Sequence, residues 1–400
     1  MTQGHRESAQ RINPTVRVLG FVSLLMDTSS EMIHSVLPLF LVTELTASVI
    51  AVGLIEGLAE STALIVKVFS GSLSDWIGRR KILAVTGYGL GACSKPLFAL
   101  AGSAGMVLGA RLIDRFGKGI RGAPRDALIA DVTPPHLRGA AFGLRQALDT
   151  VGALLGPLLA TLMLMILPGD FRAIFWLAFV PGALSVVVLL IGVRENPPPR
   201  AHRPSFPLRW SALRRFGWAY WWVVGLGAVM TLARFSEAFL VLKAREDGMS
   251  EQWLPLVMVT MNAVYALSAY PAGKLSDRIE HTLLLAWGIV LLLLADIVLA
   301  GWPEPLGTLG GVTLWGAHLG LTQGLLASMV AATAPPDLRG TAFGVFNLCS
   351  GLATLLASLI AGAIWTLYGA PATFIVGAAF CIFSLILLWR HPAAVDRRTR

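Results

Sequence analysis

The chain has 400 residues, 55% of them hydrophobic and 14% charged, with a mean hydropathy of +0.70. A soluble domain carries about 25% charged residues, so water is not the main solvent and an ordinary soluble fold is excluded. The formal charge of +9 would suit nucleic acid, but where the basic residues lie gives it another meaning.

Apolar stretches of about 20 residues, long enough to cross a hydrocarbon core of about 30 Å, recur along the whole sequence. They fall at 17–42, 49–70, 82–101, 105–129, 140–166 and 172–192, and then at 217–242, 253–272, 282–301, 308–332, 341–367 and 372–390. Lipid satisfies no backbone hydrogen bonds, and these runs lack the in/out alternation of barrel strands, so helices are expected. The fold class is therefore an all-α membrane protein with about 12 transmembrane helices. The first segment is too long for the apolar region of a signal peptide and lacks a clear cleavage site, so it is expected to be retained.

Of the 32 Lys and Arg residues, 20 fall in one alternating set of tails and loops and 3 in the other, Arg172, Lys243 and Arg245. By the positive-inside rule the rich set is cytoplasmic, which places both termini there. The charge thus reports topology, and no nucleic-acid partner is expected. Cys93, Cys349 and Cys381 fall within predicted helices without metal-type or disulfide-type spacing and read as small packing residues.

Halfway along, RENPPPRAHRPSFPLRWSALRRF is rich in Pro and Arg and holds no spanning run. The expected organisation is an N-terminal six-helix half over 1–193, a cytoplasmic linker over 194–216 and a C-terminal six-helix half over 217–400. Internal repetition supports two halves. GSLSDWIG from Gly71 recurs as GKLSDRIE from Gly273, and PPHLRGAAFG from Pro134 recurs as PPDLRGTAFG from Pro335. Both repeats fall at equivalent loops, after segments 2 and 8 and after segments 4 and 10.

The string from Gly71 through Asp75, Gly78, Arg79 and Arg80 to Lys81 resembles the signature loop of the major facilitator superfamily. Glycines permit a tight turn and close helix approach, Asp75 can cap a helix, and the arginines can pair with carboxylates. The resemblance implies a major facilitator fold with two pseudo-symmetric halves, in which this cluster latches the halves on the cytoplasmic side. Asp126 and Asp131 are the carboxylates expected to pair with the loop arginines. Asp277 and Arg339 carry the corresponding repeats, although Glu280 and His281 stand where the second basic run should be.

Arg115-Phe-Gly-Lys-Gly119 in segment 4 resembles the superfamily's arginine motif, whose basic residue lies near the proton or substrate site. Arg115 lies about 15 Å deep at 1.5 Å per residue and requires a partner there. Arg111, Lys118, Arg121 and Arg125 share the helix, and its glycines suggest tight packing. Segment 5 carries Gly152, Gly156 and Pro157, a small-xxx-small face and a helix-loosening proline suited to a hinge. This resembles the glycine and proline motif of antiporter members, although Leu158 and Leu159 interrupt it.

Asp27, Glu31 and His34 share one face of segment 1 by their i, i+4 and i+7 spacing. Burial and a neighbouring guanidinium act on a carboxyl's proton affinity in opposite senses, so a group held between them can titrate during a transport cycle. Asp27 is the leading proton carrier, Glu31 the second, and Arg115 the expected switching partner. Glu56, Glu60 and Asp149 join the proton-coupling set. His34, Arg111, Arg145, Asn262, Tyr265, Gln323 and Asn347 are candidate substrate contacts, with Trp315 and Phe346 in a more neutral C-terminal wall. The competing reading of the charged set is a static salt-bridge network that specifies packing.

These residues and the resemblance together lead to a proton-coupled secondary transporter that exports a small organic compound by proton antiport through alternating access. A metabolite and proton symporter is the nearest alternative, and a divalent metal exporter using the Asp27, Glu31 and His34 face is another. No P-loop, zinc-protease or nucleophile-elbow pattern stands in a suitable context, so no enzymatic activity, cofactor or resident metal is expected. The expected partners are the lipid bilayer, protons and a small solute, and the expected state is a functional monomer in the plasma or inner membrane.

Overall fold

In the computed structural model the described residues are 13–77, 79–134, 137–193, 195, 213–276, 278–322, 324–335 and 338–390, without the side chains of Ser72, Asp75, Trp76 and Ser276. Gly78, Asp277, Gln323, the Asp75 side chain and most of the 194–216 linker therefore lie outside the description.

All regular structure among these residues is helical. The first half comprises α1 (Pro14–His34), α2 (Leu37–Thr43), α3 (Val49–Ile77), α4 (Arg80–Ala99), α5 (Ala104–Val132), α6 (Arg138–Ile166) and α7 (Phe171–Gly192). The second comprises α8 (Trp218–Ala233), α9 (Ala238–Glu246), α10 (Leu256–Ser276), α11 (His281–Gly301), α12 (Pro305–Thr322), α13 (Leu325–Thr333), α14 (Arg339–Tyr368) and α15 (Ala370–Trp389). Eight spans are long and apolar enough to cross a membrane. The charge-rich α1, α4 and α5 are not among them, because their polar and charged residues lower the hydropathy of each helix.

Local chemistry sets several helix ends. Asn13 accepts from the Thr15 amide at 2.8 Å with Pro14 at the first helical position, and Asp170 accepts from the Ala173 amide at 2.9 Å. Each satisfies an amide that the helix itself leaves open.

Three predicted segments are broken. The first splits between His34 and Leu37, and the seventh splits at Arg234–Glu237. The tenth splits near Gly324, whose φ of 102° lies in the left-handed region where glycine is at ease. The first and seventh occupy equivalent places in the two halves, so their breaks are related by the repeat. Apolar periodicity does not register such a break, because both pieces keep the same buried face.

Helix contacts obey the repeat throughout. In the first half α1 packs on α6 and α7, α3 on α5, and α4 on α5 and α7. In the second, α8 packs on α14 and α15, α10 on α12, and α11 on α12 and α15. The halves meet through α3 against α14 and α6 against α10, the same contact seen twice.

Glycines set the closeness of that meeting. A Cβ at Gly53 would come 2.3 Å from the Ser358 carbonyl, and one at Gly362 would come 2.9 Å from the Ile50 Cα. Along α3 and α14 these approaches loosen to 3.4 Å at Gly351, against Leu64 and Ser61. The halves are thus seated most closely at the end away from the basic loop at 79–81.

The outer surface is apolar, with Ile191 at 78% and Leu367 at 72% relative exposure. Trp218, Trp302, Tyr368 and Trp389 are exposed near helix ends, where amphipathic rings sit at a membrane interface. The three cysteines lie on helices as expected, with Cys93 exposed, Cys349 half-buried and Cys381 buried.

Candidate functional site

The N-terminal half buries charge on a scale that its C-terminal counterpart does not. Lys95 donates to Asp114 at 2.7 Å and to Ser30 at 3.1 Å. Arg111 donates to Glu56 at 2.7 Å, and Arg115 lies 3.3 Å from Glu60 and 3.6 Å from Asp114. The His34 ring lies 3.3 Å from Glu31 and 3.6 Å from Glu56. Each ion thus has an opposite charge in reach, the condition for keeping it at membrane depth. Among the described residues, the fully buried ionisable groups of the second half are fewer, chiefly Lys243, Asp296 and His318.

Beside this network lies a cavity of about 420 Å³, within the size range of small-molecule sites. α1 lends Asp27 and Glu31, α3 lends Glu60 and Lys67, α5 lends Lys118, Arg121 and Arg125, and α6 lends Gln146, Asp149 and Thr150. Asn262 and Tyr265 of α10 close the wall from the other half. The Asn262 amide also donates to the Ala153 carbonyl at 3.3 Å, so the wall is stitched across the interface.

Backbone approach explains why these charges converge. A Cβ at Gly152 would meet the Leu24 carbonyl at 2.6 Å and the Asp27 Cβ at 3.1 Å, and one at Gly156 would meet the Thr28 carbonyl and the Glu31 Cβ at 2.7 Å. These two glycines let α6 lie directly against the acidic face of α1. Between α4 and α5, Gly87 and Gly117 abut each other's carbonyls at 2.7 and 2.6 Å.

Several pairings differ from those expected. Asp27 faces Arg121 at 3.8 Å, not Arg115, which is held by Glu60 and Asp114. Arg121 follows Arg115 by six residues, about 9 Å along the axis, and so lies at the level of Asp27 while Arg115 lies at that of Glu60. The Arg121 guanidinium sits 4.9 Å over the Tyr88 ring, and Tyr88 shares a hydrogen bond with Ser23 at 3.1 Å.

Of the expected substrate contacts, Asn262 and Tyr265 line the cavity. His34, Arg111 and Arg145 do not. The first two are spent within the buried network, and Arg145 donates to Asp149 at 2.7 Å. Asn347 is also absent from the wall. Phe346 packs instead on Gly227 and Trp315 on Phe235, both inside the second half.

At the basic loop Arg80 pairs with Asp131 and donates to the Ala127 carbonyl at 3.3 Å. Asp126 does not join it; Arg125 lies 3.1 Å and Arg145 3.9 Å from that carboxylate. The expected tight approach at Gly71 is absent, since a Cβ there would meet Ala123 at an ordinary 3.7 Å. Arg339 is exposed at the start of α14.

Four contributors are not among the residues expected from sequence. Asp114 sits one residue before Arg115, which was signal enough that the arginine motif carries its own acid. Glu195 accepts from the backbone amides of Arg80 at 2.5 Å and Lys81 at 3.2 Å, capping α4 from the far side of α7. Gln146 and Thr150 in the cavity wall lie on α6, each one residue beyond the candidates Arg145 and Asp149.

A family model described as Major Facilitator Superfamily matches residues 19–358 and 248–400. An uncharacterised MFS-type transporter of Methanocaldococcus jannaschii is 33% identical over 393 residues, covering 96% of this chain and 97% of the relative. Major facilitator superfamily domain-containing protein 10 of Mus musculus is 27% identical over 382 residues, covering 86% and 80%. Among solved structures, a POT family transporter in complex with 5-aminolevulinic acid superposes with a TM-score of 0.81 at 14% identity, covering 95% of this chain and 96% of its own. The nucleoside transporter NupG gives 0.72 at 16% identity, covering 95% and 98%.

Proposed function

This chain belongs to the major facilitator superfamily as one of its secondary transporters, and from that premise we propose that it is proton-driven and exports a small organic compound by alternating access. The observation that carries the reading is the cavity shared by both halves, in which Asp27 faces Arg121 at 3.8 Å. A carboxylate and guanidinium separated by more than a hydrogen bond, beside open volume, can part when the acid takes a proton. Glu31, Glu56 and Glu60 are held by His34, Arg111 and Arg115 and tune the field around it. Gly152 and Gly156 give α6 a smooth seat on which to shift against α1, the device expected of an antiporter.

With the basic loops assigned to the cytoplasm, both termini are cytoplasmic and the halves are seated together at the outer side. The cavity is then the inward-facing loading site. One chain supplies both walls, so a monomer suffices, and the host is the plasma or inner membrane.

A symporter is the second reading, favoured by Arg121 lying in the same wall as Asp27. Protonating Asp27 would free a guanidinium for a negative group on the solute, so that proton and solute load together. Metal export finds no support in the geometry, since Asp27 faces an arginine and the described residues hold no group of three potential ligands.

The test is a ligand-stabilisation screen across pH, followed by counterflow of a hit in proteoliposomes with an imposed pH gradient. Uphill flux of the hit against the proton flow supports export by antiport, and flux with it supports symport. Equal rates with and without the gradient would overturn proton coupling.

A further inference from the structure

We infer that the cavity is built for a small organic anion, whose negative group is received by Lys67 and Lys118. The inference rests on the reading of the cavity as the substrate site and adds the sign of the ligand.

Every acid in the wall already has a nearer basic partner. Asp27 has Arg121 at 3.8 Å, Glu31 the His34 ring at 3.3 Å, Glu60 has Arg115 at 3.3 Å, and Asp149 has Arg145 at 2.7 Å. Arg125 is taken by Asp126 at 3.1 Å. Two wall cations remain. Among the described residues neither the Lys67 nor the Lys118 ammonium makes a hydrogen bond or ion pair, and both residues are exposed.

Their position makes this unusual. Lys118 stands midway along the 29-residue α5, at a depth where a charge is tolerated only beside water or a partner. The backbone brings the two lysines together. A Cβ at Gly119 would meet the Val66 Cβ at 2.7 Å and the Ala63 carbonyl at 3.0 Å, so α5 crosses α3 in contact. Lys118 and Lys67 are the sequence neighbours of that crossing, and both side chains reach the cavity. Arg121 adds a buried Nη1 with no hydrogen-bond partner.

The acids within electrostatic reach of the lysines are Asp126 for Lys67, and Asp27, Glu31 and Glu60 for Lys118. All four are engaged as described above. A cationic solute would therefore meet two ammonium groups without a free acid to answer them. A carboxylate or sulfonate would complete the site, with Asn262 and Tyr265 left to hydrogen-bond its organic body.

The experiment uses the full chain with its native cysteines replaced by Ser and the wall substitution Thr150→Cys. Second-order rates are measured for the anionic sulfonatoethyl and the cationic trimethylammonioethyl methanethiosulfonates, each normalised to its rate with 2-mercaptoethanol. A cleft dominated by one sign of charge raises the local concentration of the opposite ion about tenfold or more. The expected result is therefore a normalised preference of about tenfold for the anionic reagent, abolished in Lys67→Gln/Lys118→Gln and kept in Lys67→Arg/Lys118→Arg. A preference for the cationic reagent, or a preference unchanged by the Gln pair, would overturn the anion assignment. Counterflow of a screened hit separates this from failure of the site itself. If labelling Thr150→Cys with either reagent leaves counterflow intact, the cavity is not the substrate site, whatever its charge preference.

Discussion

Gly152 sits directly beneath Asp27: a single methyl on that glycine would come within 3.1 Å of the Asp27 Cβ and 2.6 Å of the Leu24 carbonyl. The acid proposed to carry the proton is thus pressed against a neighbouring backbone on one side and faces Arg121 across the cavity wall on the other. Its freedom is confined to the side where a proton or a solute can arrive.

Asp27→Asn is expected to abolish gradient-driven flux in proteoliposomes while counterflow of the same solute persists. The Asp27–Arg121 separation of 3.8 Å is long for a hydrogen bond, so the loss of charge should leave the fold intact. Undiminished gradient-driven transport would remove Asp27 from the coupling role.

Gly156→Ala should destabilise the protein by about 1–3 kcal/mol through overpacking. The new methyl would lie 2.7 Å from the Thr28 carbonyl and 2.8 Å from the Met32 amide nitrogen, and backbone atoms cannot step aside as a side chain can. Gly143→Ala in the same helix is the control, because nothing lies within 4 Å of its Cβ position. Thermal melting in detergent should separate the two variants; equal melting temperatures would show that α6 is not tightly seated on α1.

Lys95→Met should cost about 3 kcal/mol, since it removes the hydrogen-bonded cation of a buried carboxylate and leaves Asp114 with the more distant Arg115 at 3.6 Å. Lys95 and Asp114 have side chains only 1% and 3% exposed. The double variant Lys95→Met/Asp114→Leu should recover much of that loss, a non-additivity read from the same melts. Additive losses would mean that the pair contributes no mutual stabilisation.

Asp131→Asn is expected to loosen the basic loop by weakening the ion pair with Arg80, and Glu195→Gln to weaken the cap on the Arg80 and Lys81 amides by about 1 kcal/mol. If the loop is a latch, both variants should raise the reactivity of Gly143→Cys toward a thiol reagent applied from the basic end. Unchanged reactivity would reduce the loop to a topogenic signal.

Much of this architecture was readable from pattern alone. Twelve apolar runs, two repeats with a nearly constant offset and the bias of Lys and Arg among loops follow from composition and spacing. Lipid leaves helices as the natural solution for such runs. The crowding of Asp27, Glu31, Glu56 and Glu60 into one half was also legible, because charged residues in apolar runs stand out. Breaks after His34, at Arg234–Glu237 and at Gly324 were not, since the apolar period continues through them.

The primary structure by itself determined which segments are helical, which half carries the acids and bases, and which face of α1 presents them. Only the tertiary structure decided that Asp27 meets Arg121 while Arg115 turns to Glu60 and Asp114, that His34 and Arg111 are spent on Glu56, and that Lys67 and Lys118 face the cavity together. Helical periodicity orients a side chain about its own axis, but partnership depends on the height and rotation at which two helices cross. Those are set by backbone contacts at Gly117, Gly119, Gly152 and Gly156, between residues far apart in the chain.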